Sequence, residues 1–511
     1  MYRKQLQQIS TQYSIVRKFC KSNSMNKNND IVIIGAARTP IGSFRGSLSS
    51  VSATKLGAIA IQAAIERSGI SKENVEEVFM GNVIQAGLGQ APARQAAIFA
   101  GLSKSTICTT INKVCASGMK SVMLGAQSIA CGHQNVVVAG GMESMSNVPF
   151  YMIRGETKYG DITLTDGIVF DGLTDVYNKI HMGNCAENTA KKCGISRQEQ
   201  DDYAIKSYKR SEAAYALGTI SEELVPITIP QKKGKPDIVI ENDEEYKRIN
   251  YEKFHQLNTV FQKDAGTVTA GNASTINDGA AACVLTTAEN ATKIGVKPIA
   301  RIVGFQDAAT DPIDFPLAPS FAIPQLLEKN NVSIDDITLW EINEAFSVVV
   351  LANIKKLNLD LSKVNVHGGA VSLGHPIGMS GARIIVHLVY ALKAGEKGVA
   401  AICNGGGGAS SILIEKLHTP KRADTNLPTL TLYTKYPCSL CEELKEELYP
   451  FKHRFVLEEI DITLAENKRW KKLYKYEIPV LFLENQFICK HKLNKDTLER
   501  NLIELERQWN L

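Results

Sequence analysis

Strand-like and helix-like segments alternate along most of this 511-residue chain. Short apolar runs bounded by turn residues are typical of buried strands, and longer runs with apolar residues three or four apart are typical of helices. Strand-like runs occupy residues 31–34, 78–81 and 136–139, and helical spacing occupies residues 56–68. The alternation resumes at residue 280 after a polar interval. This pattern predicts an α/β fold with layered parallel sheets.

A weak internal repeat divides this body into two halves. Each copy reads as a Gly-Met pair, a helix, a glycine, a strand and a Gly-Gly pair, and the copies begin at Gly118 and Gly378. Cys115 precedes the first copy and His375 precedes the second. Two duplicated halves would bring these residues to one central site.

Cys115 is a candidate nucleophile. It stands before small residues and before the helix-like residues 119–130. Free N–H groups and the positive end of a helix dipole favour a thiolate at such a position. The alternative is a buried structural cysteine, which is a common state of a lone thiol.

Composition excludes some partner classes. A net charge of +5 over 511 residues is too small to predict a nucleic-acid partner. No apolar run approaches the roughly 18 residues of a transmembrane helix, so no membrane partner is expected. The 11 cysteines are scattered and include one Cys-x-x-Cys, which is typical of a reducing compartment.

Residues 1–29 are basic, carry several serines and contain no acid. This composition is typical of an organelle transit peptide, and the alternative is a disordered extension that targets nothing. Initiation at Met25 would remove most of the segment and leave a cytoplasmic product.

Four segments carry candidate chemistry, and each has a plain structural alternative. His375 could be a turn histidine beside a proline, Asn343 a helix cap, and the glycines after Cys403 a tight connection. The segments are Cys-Ala-Ser-Gly from Cys115, Asn-Glu-Ala-Phe from Asn343, Gly-His-Pro-Ile-Gly from Gly374 and Cys-Asn-Gly-Gly-Gly-Gly from Cys403.

Together these segments resemble the thiolase family over about residues 30–418. Residues 141–146, 267–274 and 277–281 add to the resemblance. It implies two similar βαβαβαββ halves in α-β-α-β-α layers, over residues 30–290 and 291–418, with a lid at about residues 150–260.

The resemblance is strongest to the mitochondrial members that act on acetoacetyl-CoA. It implies reversible ping-pong condensation of two acetyl-CoA to acetoacetyl-CoA and coenzyme A. Cys115 would carry the acyl group, and His375 would be the general base and an oxyanion donor. Cys403 would be the second acid/base, Asn343 would hold an oxyanion-hole water, and the Gly405 amide would complete the oxyanion hole.

The resemblance also implies ligand contacts. Two departures from the family stand out: Gly271 replaces an alanine, which we expect to loosen its loop, and His367 replaces an asparagine, where we expect a kept hydrogen bond rather than a changed pH profile. Potassium would bind to Tyr208, Ala270, Gly271, Ala273 and Val371. Coenzyme A, as substrate and product, would contact Tyr208, Arg248, Ile249, Asn250, Lys253 and Ser274, with His181 and Met182 lining the acyl pocket.

The tail is predicted to be a separate domain after a polar linker at residues 419–427. Strand-like runs, a candidate cis-proline at Pro479 and Cys438-Ser-Leu-Cys441 at a helix start indicate a small thioredoxin-like α/β domain. Residues 428–505 resemble the glutaredoxin-like family, with Cys438 attacking and Cys441 resolving. Half of a zinc site, an inert scaffold or an interaction module are the alternatives.

Other functions stay open at this level. A longer-chain 3-ketoacyl-CoA thiolase, a non-catalytic acyl-CoA carrier and a thiol-disulfide oxidoreductase are the alternatives. The resemblance also implies a homotetramer built from dimers, a mitochondrial matrix location, a place in ketone-body, fatty-acid and isoleucine metabolism, and no nucleotide redox cofactor.

Overall fold

The structure is a computed structural model that describes residues 29–155, 159–231, 235–417, 428–464, 467–484 and 486–508. The chain divides into two compact units at Thr419–Pro420. The predicted N-terminal segment, apart from its last residue, and the predicted linker lie outside the described residues. Among the helices of these ranges, none is both long and apolar enough to cross a bilayer.

The first half of the larger unit follows the predicted βαβαβαββ order, with a long insertion before its last strand. Ser52 caps the first helix by accepting a hydrogen bond from the Lys55 amide. The elements before the insertion are β1 (Ile31–Arg38), β2 (Gly42–Ser43), α1 (Ala53–Ser68), β3 (Glu77–Gly81), α2 (Pro92–Phe99), β4 (Ile107–Ile111), α3 (Ser117–Ala130) and β5 (Val136–Ser144).

The insertion is the predicted lid and has short strands and two helices. Ser196 and Glu199 form a capping box at the start of the longer helix. The elements are β6 (Phe150–Tyr151), β7 (Thr165–Asp166), β8 (Thr174–Asp175), β9 (Ile180–His181), α4 (Met182–Cys193), α5 (Arg197–Ala216), β10 (Ile227–Ile229) and β11 (Ile238–Ile240). The chain then returns to the first half through β12 (Asn277–Thr287) and α6 (Ala288–Lys293).

The second half repeats this order with one strand reduced. Its elements are β13 (Ala300–Ala309), α7 (Pro319–Asn330), β14 (Leu339–Ile342), α8 (Ser347–Leu357), α9 (Ala370–Leu373), α10 (Ser380–Ala391), β15 (Lys397–Asn404) and β16 (Gly408–Lys416).

The counterpart of β4 in the second half is a single bridge between Trp340 and Val364. Asn365 has a positive φ of 48°, so the backbone leaves the extended region there. The Asn365 side chain replaces the backbone hydrogen bonds of a strand partner. Its Oδ1 accepts from the Ile342 amide at 2.9 Å, and its Nδ2 donates to the Ile342 carbonyl at 2.8 Å. The two halves are therefore similar but not identical.

The strands form one mixed sheet in the order β14-β15-β16-β13-β1-β12-β5-β3-β4, with β2 beside β12. The predicted parallel pairing occurs for β3 with β4, β3 with β5 and β14 with β15. The β5–β12, β1–β12, β13–β16 and β15–β16 pairs are antiparallel. The halves join where Val32 and Ile33 of β1 pair with Arg301 and Ala300 of β13.

Alternating strand residues build the five predicted layers. In β12, Ala281, Cys283 and Leu285 pack into a central core with α3 and α10, whereas Ala280, Ala282 and Val284 pack into an outer core with α1 and α2. The second half does the same: Ala400 and Ile402 of β15 face the central helices, and Val399 and Ala401 face α7 and α8. The helices α3 and α10 are thus the middle layer, between the two halves of the sheet.

The smaller unit has the predicted thioredoxin-like pattern. Its sheet has the order β18-β17-β19-β20, in which only the β17–β18 pair is parallel. The Ile478–Pro479 peptide bond is cis, as predicted. The elements are β17 (Thr429–Thr434), α11 (Ser439–Leu448), β18 (Val456–Asp461), α12 (Lys468–Tyr474), β19 (Val480–Leu483), β20 (Gln486–Lys490) and α13 (Lys495–Gln508).

Candidate active site

The turn that carries Cys115 lies directly before α3 and is held by its own side chains. The Val114 amide donates to Asn112 Oδ1 at 2.9 Å. Ser117 Oγ accepts from the Lys113 amide at 2.8 Å and donates to the Val114 carbonyl at 2.6 Å. Val114 itself has a φ of 48°, which a β-branched residue adopts only under constraint.

The helix end does not by itself produce a thiolate at Cys115. Burial raises the pKa of the Cys115 thiol to about 11, although the Gly405 amide and its own amide act to lower it. In the free protein the thiol is therefore protonated at neutral pH, which corrects the expectation drawn from the helix dipole. A nucleophilic role requires a base that takes the proton during attack.

His375 has the protonation state of a base. Burial, followed by the charge of Arg383, lowers the pKa of the imidazole to about 4, so the ring is neutral at pH 7. Ser380 Oγ donates to the Pro376 carbonyl at 2.9 Å, so at 2.6 Å it accepts a hydrogen bond from His375 Nδ1. Nδ1 then carries the ring proton, and Nε2, which is buried without a protein partner, has its lone pair free.

Cys403 lies near the end of β15 and is fully buried. Burial, and next the charge of Cys115, holds the pKa of its thiol well above the ordinary value. Cys115 is therefore one of the groups that act on the Cys403 thiol. A thiol of such high pKa is a strong base once deprotonated.

The glycines after Cys403 make the turn between β15 and β16. Gly406 and Gly407 have φ of 84° and 89°, and a Cβ on Gly407 would lie 2.1 Å from the Thr310 carbonyl oxygen. A Cβ on Gly405 would have Met182 Sδ at 3.5 Å and Val114 Cγ1 at 3.6 Å as its nearest neighbours. Gly405 thus lies between the lid and the turn of Cys115.

Asn343 is fully buried, and both polar atoms of its amide lack a protein partner. Because a buried amide without hydrogen bonds is costly, a bound water or substrate group is the expected partner. The Asn343 backbone amide donates to the Ala401 carbonyl at 2.9 Å. Ala401 lies on β15, two residues before Cys403, so Asn343 lies beside the strand that carries Cys403.

Two buried acidic side chains, Glu344 and Glu143, for which no sequence motif predicts a role, hold these loops. Glu344 accepts from Tyr203 Oη, Ser207 Oγ, Asn365 Nδ2 and the Val371 amide at 2.7 to 3.0 Å. The other carboxylate, Glu143, accepts from Asn82 Nδ2 and from the amides of Val83, Ile84 and Gly378. Burial raises the pKa of Glu143 to about 8. In the sequence, both Glu143 and Glu344 are acids set among small and apolar motif residues, and this pattern could have indicated that they are buried.

Close backbone contacts bring the two repeat copies together. A Cβ on Gly118 would lie 2.8 Å from the Ala382 amide nitrogen, and one on Gly381 would lie 2.6 Å from the Met119 amide nitrogen. The N-termini of α3 and α10 therefore touch, and Ile377, two residues after His375, packs in one apolar cluster with Cys115. The structure thus brings Cys115, Cys403 and Gly405 together and places the His375 turn against them.

The lid places the predicted acyl-pocket residues beside this centre. Met182 shares an apolar cluster with Cys403 and Phe346. The preceding residue, His181, caps α4 through Nδ1, which accepts from the Gly183 amide at 3.0 Å, and stacks on Phe261 at 4.7 Å.

Predicted coenzyme A contacts lie along the lid and the loop before β12. Ser274 Oγ donates to the Ala345 carbonyl at 2.8 Å. The carbonyl of the next residue accepts from the His375 amide at 3.3 Å, so this loop connects the Asn343 and His375 segments. Ile249 packs with Tyr208, whereas Arg248, Asn250 and Lys253 are exposed.

Three of the residues predicted to hold potassium, Tyr208, Gly271 and Val371, lie around the Phe254 ring. Tyr208 and Val371 pack with Phe254 in one cluster. Gly271 lies against the same ring, and a Cβ there would come within 2.7 Å of both Phe254 and Leu257. The replacement of alanine by glycine therefore matches a tight space rather than the loose loop that we expected. The fifth residue, Ala273, forms a bridge to Phe346.

The substituted His367 makes a hydrogen bond, as predicted. Its Nδ1 lies 3.0 Å from Nε2 of the buried His387, whose Nδ1 lies 2.9 Å from Glu223 Oε2. Burial, and next the His387 charge, lowers the pKa of His367 to about 4. Burial also acts to lower the pKa of His387, but Glu223 and Glu341 raise it above the ordinary value.

In the smaller unit, Cys438 and Cys441 form a disulfide at the start of α11. Cys438 is partly exposed, whereas Cys441 is fully buried. Both pack in one cluster with Tyr433 and Val480. This is the accessibility that an attacking thiol and a resolving thiol require.

Comparison with known proteins gives three family matches. The thiolase N-terminal domain matches residues 31–289, the thiolase C-terminal domain matches residues 296–416, and a glutaredoxin-like domain matches residues 429–503.

Individual relatives match over the same region. Acetyl-CoA acetyltransferase B, mitochondrial, of Xenopus laevis is 68% identical over 389 residues, which are 76% of this chain and 92% of that protein. The mitochondrial acetyl-CoA acetyltransferase of Homo sapiens is 64% identical over 388 residues, 76% of this chain and 91% of that protein. The crystal structure of Acat5 thiolase from Ascaris suum in complex with coenzyme A is 51% identical, with a TM-score of 0.73, and covers 76% of this chain and 100% of that one.

Proposed function

The chain belongs to the thiolase family, and we propose that it is an acetyl-CoA C-acetyltransferase. It condenses two acetyl-CoA into acetoacetyl-CoA and free coenzyme A, or runs the same reaction backwards as thiolysis. The observation that carries the proposal is that the Cys115 turn, the Cys403 segment and the turn of the neutral His375 pack together at one centre. High identity to mitochondrial acetyl-CoA acetyltransferases supports it.

In the first half-reaction, His375 Nε2 takes the Cys115 proton as the sulfur attacks the acetyl-CoA carbonyl. Because the thiol is a much weaker acid than the imidazolium here, proton transfer accompanies formation of the C–S bond. The amides of Cys115 and Gly405 are the proposed donors to the tetrahedral oxyanion. Collapse breaks the bond to the coenzyme A sulfur, which takes the proton from His375 and leaves acetyl-Cys115.

In the second half-reaction, the neutral His375 takes the proton of the Cys403 thiol, and the resulting thiolate removes a proton from the methyl group of a second acetyl-CoA. A water held by the unpartnered Asn343 amide, together with His375, stabilises the enolate oxygen. The enolate carbon attacks acetyl-Cys115, forms the new C–C bond and displaces the Cys115 sulfur. The displaced Cys115 sulfur takes the proton from His375, so both cysteines return to their thiol forms and the imidazole to its neutral form.

Coenzyme A would lie along the lid. Arg248 and Lys253 are exposed cations that suit its phosphates, and Tyr208, Ile249, Asn250 and Ser274 would contact the rest. His181 and Met182 would border the acyl group. The solved coenzyme A complex of the Ascaris suum relative supports binding of coenzyme A by this fold.

The proposed potassium residues fit a hard cation. Burial raises the pKa of Tyr208, so its phenol is a neutral oxygen donor, and the other donors would be backbone carbonyls of Ala270, Gly271, Ala273 and Val371. Such an ion would supply charge that orders the loop before β12. Ser274, a proposed coenzyme A contact, lies on that loop and donates a hydrogen bond to the Ala345 carbonyl.

We also propose a homotetramer and a mitochondrial matrix location. The lid exposes apolar side chains between residues 150 and 177, including Phe150 at 59%, Ile153 at 82% and Tyr177 at 70% exposure. Apolar surface of this kind marks protein contacts. The location is supported by relatives with mitochondrial names.

Thiolysis of acetoacetyl-CoA by the full chain tests the main proposal. Cys115→Ala should lower the rate by more than about a thousandfold, because the acyl carrier is lost. Cys131→Ala, at an exposed free cysteine, should keep the wild-type rate. Equal rates for the Cys115 variant and wild type would reject the proposal. A panel of longer 3-ketoacyl-CoA substrates distinguishes the longer-chain alternative, and tight binding without turnover would indicate a carrier.

A second activity, thiol-disulfide exchange, is favoured by the partly exposed Cys438 and the buried Cys441. The reduced Cys438 thiolate would attack a mixed disulfide and release one thiol, and Cys441 would then displace the other and close the disulfide. Glutathione mixed-disulfide reduction should be lost in Cys438→Ser and kept in Cys131→Ala. Unchanged reduction in Cys438→Ser would make the tail a scaffold or an interaction module.

A further inference from the structure

An ion cluster connects the Cys115 turn to the second half of the unit. Lys113 Nζ contacts the Asp307 carboxylate on β13, Ser410 Oγ at 2.8 Å and the Ala409 carbonyl at 3.1 Å. Lys120, one turn into α3, donates to the other Asp307 oxygen at 2.6 Å. Ser410 Oγ also donates to Asp307 at 2.6 Å, so the carboxylate has partners on α3, β16 and the turn.

This cluster reaches both sulfurs through short connections. Lys113 is two residues before Cys115 and is adjacent to the strained Val114. On the other side, Ala409 is the residue that pairs with Cys403 across β15 and β16. The Lys113 side chain therefore ties the turn of one catalytic cysteine to the strand partner of the other.

The cluster differs from an ordinary surface ion pair. The Lys113 and Asp307 side chains are 25% and 35% exposed, and each makes several contacts rather than one. Burial acts to raise the pKa of Asp307, but Lys113, Lys120 and Ser410 together lower it. Isolated surface pairs contribute about 0–1 kcal/mol, whereas the Asp307 carboxylate joins two lysines and a serine hydroxyl from the turn, α3 and β16 and so fixes their relative positions.

We propose that Lys113, held by Asp307, is a positioning residue that sets the distance between Cys115 and Cys403. Hydrogen bonds with Asn112 and Ser117 hold the strained Val114 turn locally, and the Lys113 amine adds the contacts that fix this turn against the second half. This inference rests on the proposed acetyl transfer. A misplacement of about 1 Å between reacting groups costs on the order of a hundredfold in rate, so the effect should appear in catalysis.

The test compares Lys113→Met and Asp307→Asn in the full chain. Both should lower kcat for acetoacetyl-CoA thiolysis by about tenfold to a hundredfold while KM for coenzyme A stays within about twofold. Lys113→Arg should restore most of the rate. The Lys113→Met/Asp307→Asn double variant should be no slower than the slower single variant, because both changes break one contact.

The matched control is Glu289→Gln, which removes an exposed ion pair with Lys293 on α6 and should leave kcat unchanged. Thermal unfolding separates positioning from misfolding: the variants should unfold within a few degrees of wild type. If Lys113→Met does not fold, Asp307→Asn alone decides the result. Wild-type kcat in both single variants, or a rise in KM alone, would overturn the proposal.

Failure of the proposed function is recognised separately, because wild type would then show no thiolysis at all. In that case the rate of Cys115 alkylation by iodoacetamide still reports on the geometry of the turn, because it depends on the position of the Cys115 thiol. A rate in Lys113→Met equal to that of wild type would also overturn the positioning role.

Discussion

At the scale of single residues, the site consists of groups in their neutral forms. The Cys115 thiol has a pKa raised to about 11, and the His375 imidazole has one lowered to about 4. Both shifts come first from burial, which disfavours charge. The free site therefore holds a thiol and a neutral base, not a preformed thiolate–imidazolium pair.

This protonation state predicts how Cys115 reacts with pH. The thiolate fraction rises as pH approaches the raised pKa, so the rate of alkylation by iodoacetamide should climb tenfold per pH unit up to at least about pH 10. Rates measured in wild type, with Cys115→Ala to identify background labelling, check this. A plateau near pH 7 would show that an ion pair exists before substrate binds.

In the proposed mechanism, His375 sets the acid side of the activity profile. Protonation removes the base, and with a pKa of about 4 this happens well below the ordinary histidine range. We expect kcat/KM for thiolysis to show no inflection near pH 6.5, checked over the pH range in which the protein stays folded. An inflection there would place the base elsewhere.

His367→Asn restores the residue usual in the family and should leave the pH profile of kcat/KM unchanged. The His367 ring is neutral above about pH 4, so it does not titrate in the working range. Because its folded pKa is depressed, its contribution to stability is present above the unfolded value and is lost as pH falls toward 4. The variant should therefore lose less stability than wild type between about pH 6.5 and 4.

Thermal unfolding at several pH values measures that difference. The stability of His387→Gln is the comparison for that of His367→Asn. The His387 variant leaves the buried Glu223 with one charged partner fewer, so its free energy of unfolding should fall by about 3–5 kcal/mol. A shifted pH optimum in His367→Asn would contradict the neutral assignment.

At the scale of elements, the close approach of α3 and α10 depends on glycines. Gly118→Ala should destabilise the protein by at least about 2 kcal/mol, because the new Cβ would lie 2.8 Å from a backbone nitrogen of α10. Gly155→Ala is the matched control, since nothing lies within 4 Å of its Cβ position, and should change stability by less than about 0.5 kcal/mol. Denaturant unfolding of both variants checks the difference, and similar values would contradict tight helix contact.

The helices and strands of the repeat follow from local patterns. The helix predicted from residue 119 begins at Ser117, and the strand predicted at residues 136–139 extends to Ser144. The reduced strand at Val364 could not be predicted, because its pairing is made by the Asn365 side chain rather than by a strand pattern. Mixed strand directions also escaped prediction, since they depend on the glycine turn after Cys403 and on the return from the lid.

The motif residues singled out in the sequence lie together in the structure, but their electrostatics could not be predicted from the sequence. Helix position suggested a thiolate at Cys115, yet burial by residues distant in sequence decides its pKa. The roles of Glu143 and Glu344 depend on donors from several loops, which no local pattern contains. Sequence thus identifies site residues, and long-range packing decides their charge.

At the scale of the whole molecule, two compact units predict independent folding. Because the boundary falls at Thr419–Pro420, a chain ending at residue 419 should retain the thiolysis kcat of the full chain within about twofold. Steady-state rates for the two proteins at equal active-site concentration check this. A large loss in the shortened protein would show that the smaller unit supports acetyl transfer.

The near-equivalence of the two halves has a consequence for how the reaction centre arose. Cys115 and His375 precede corresponding helices, α3 and α10, whose first turns touch. A molecule with two identical halves would offer two thiols or two imidazoles at that meeting point, so it would lack either the imidazole that takes the thiol proton or the sulfur that stores the acetyl group. The proposed chemistry therefore requires the two copies to differ at this one position, while the surrounding layers keep their shared architecture.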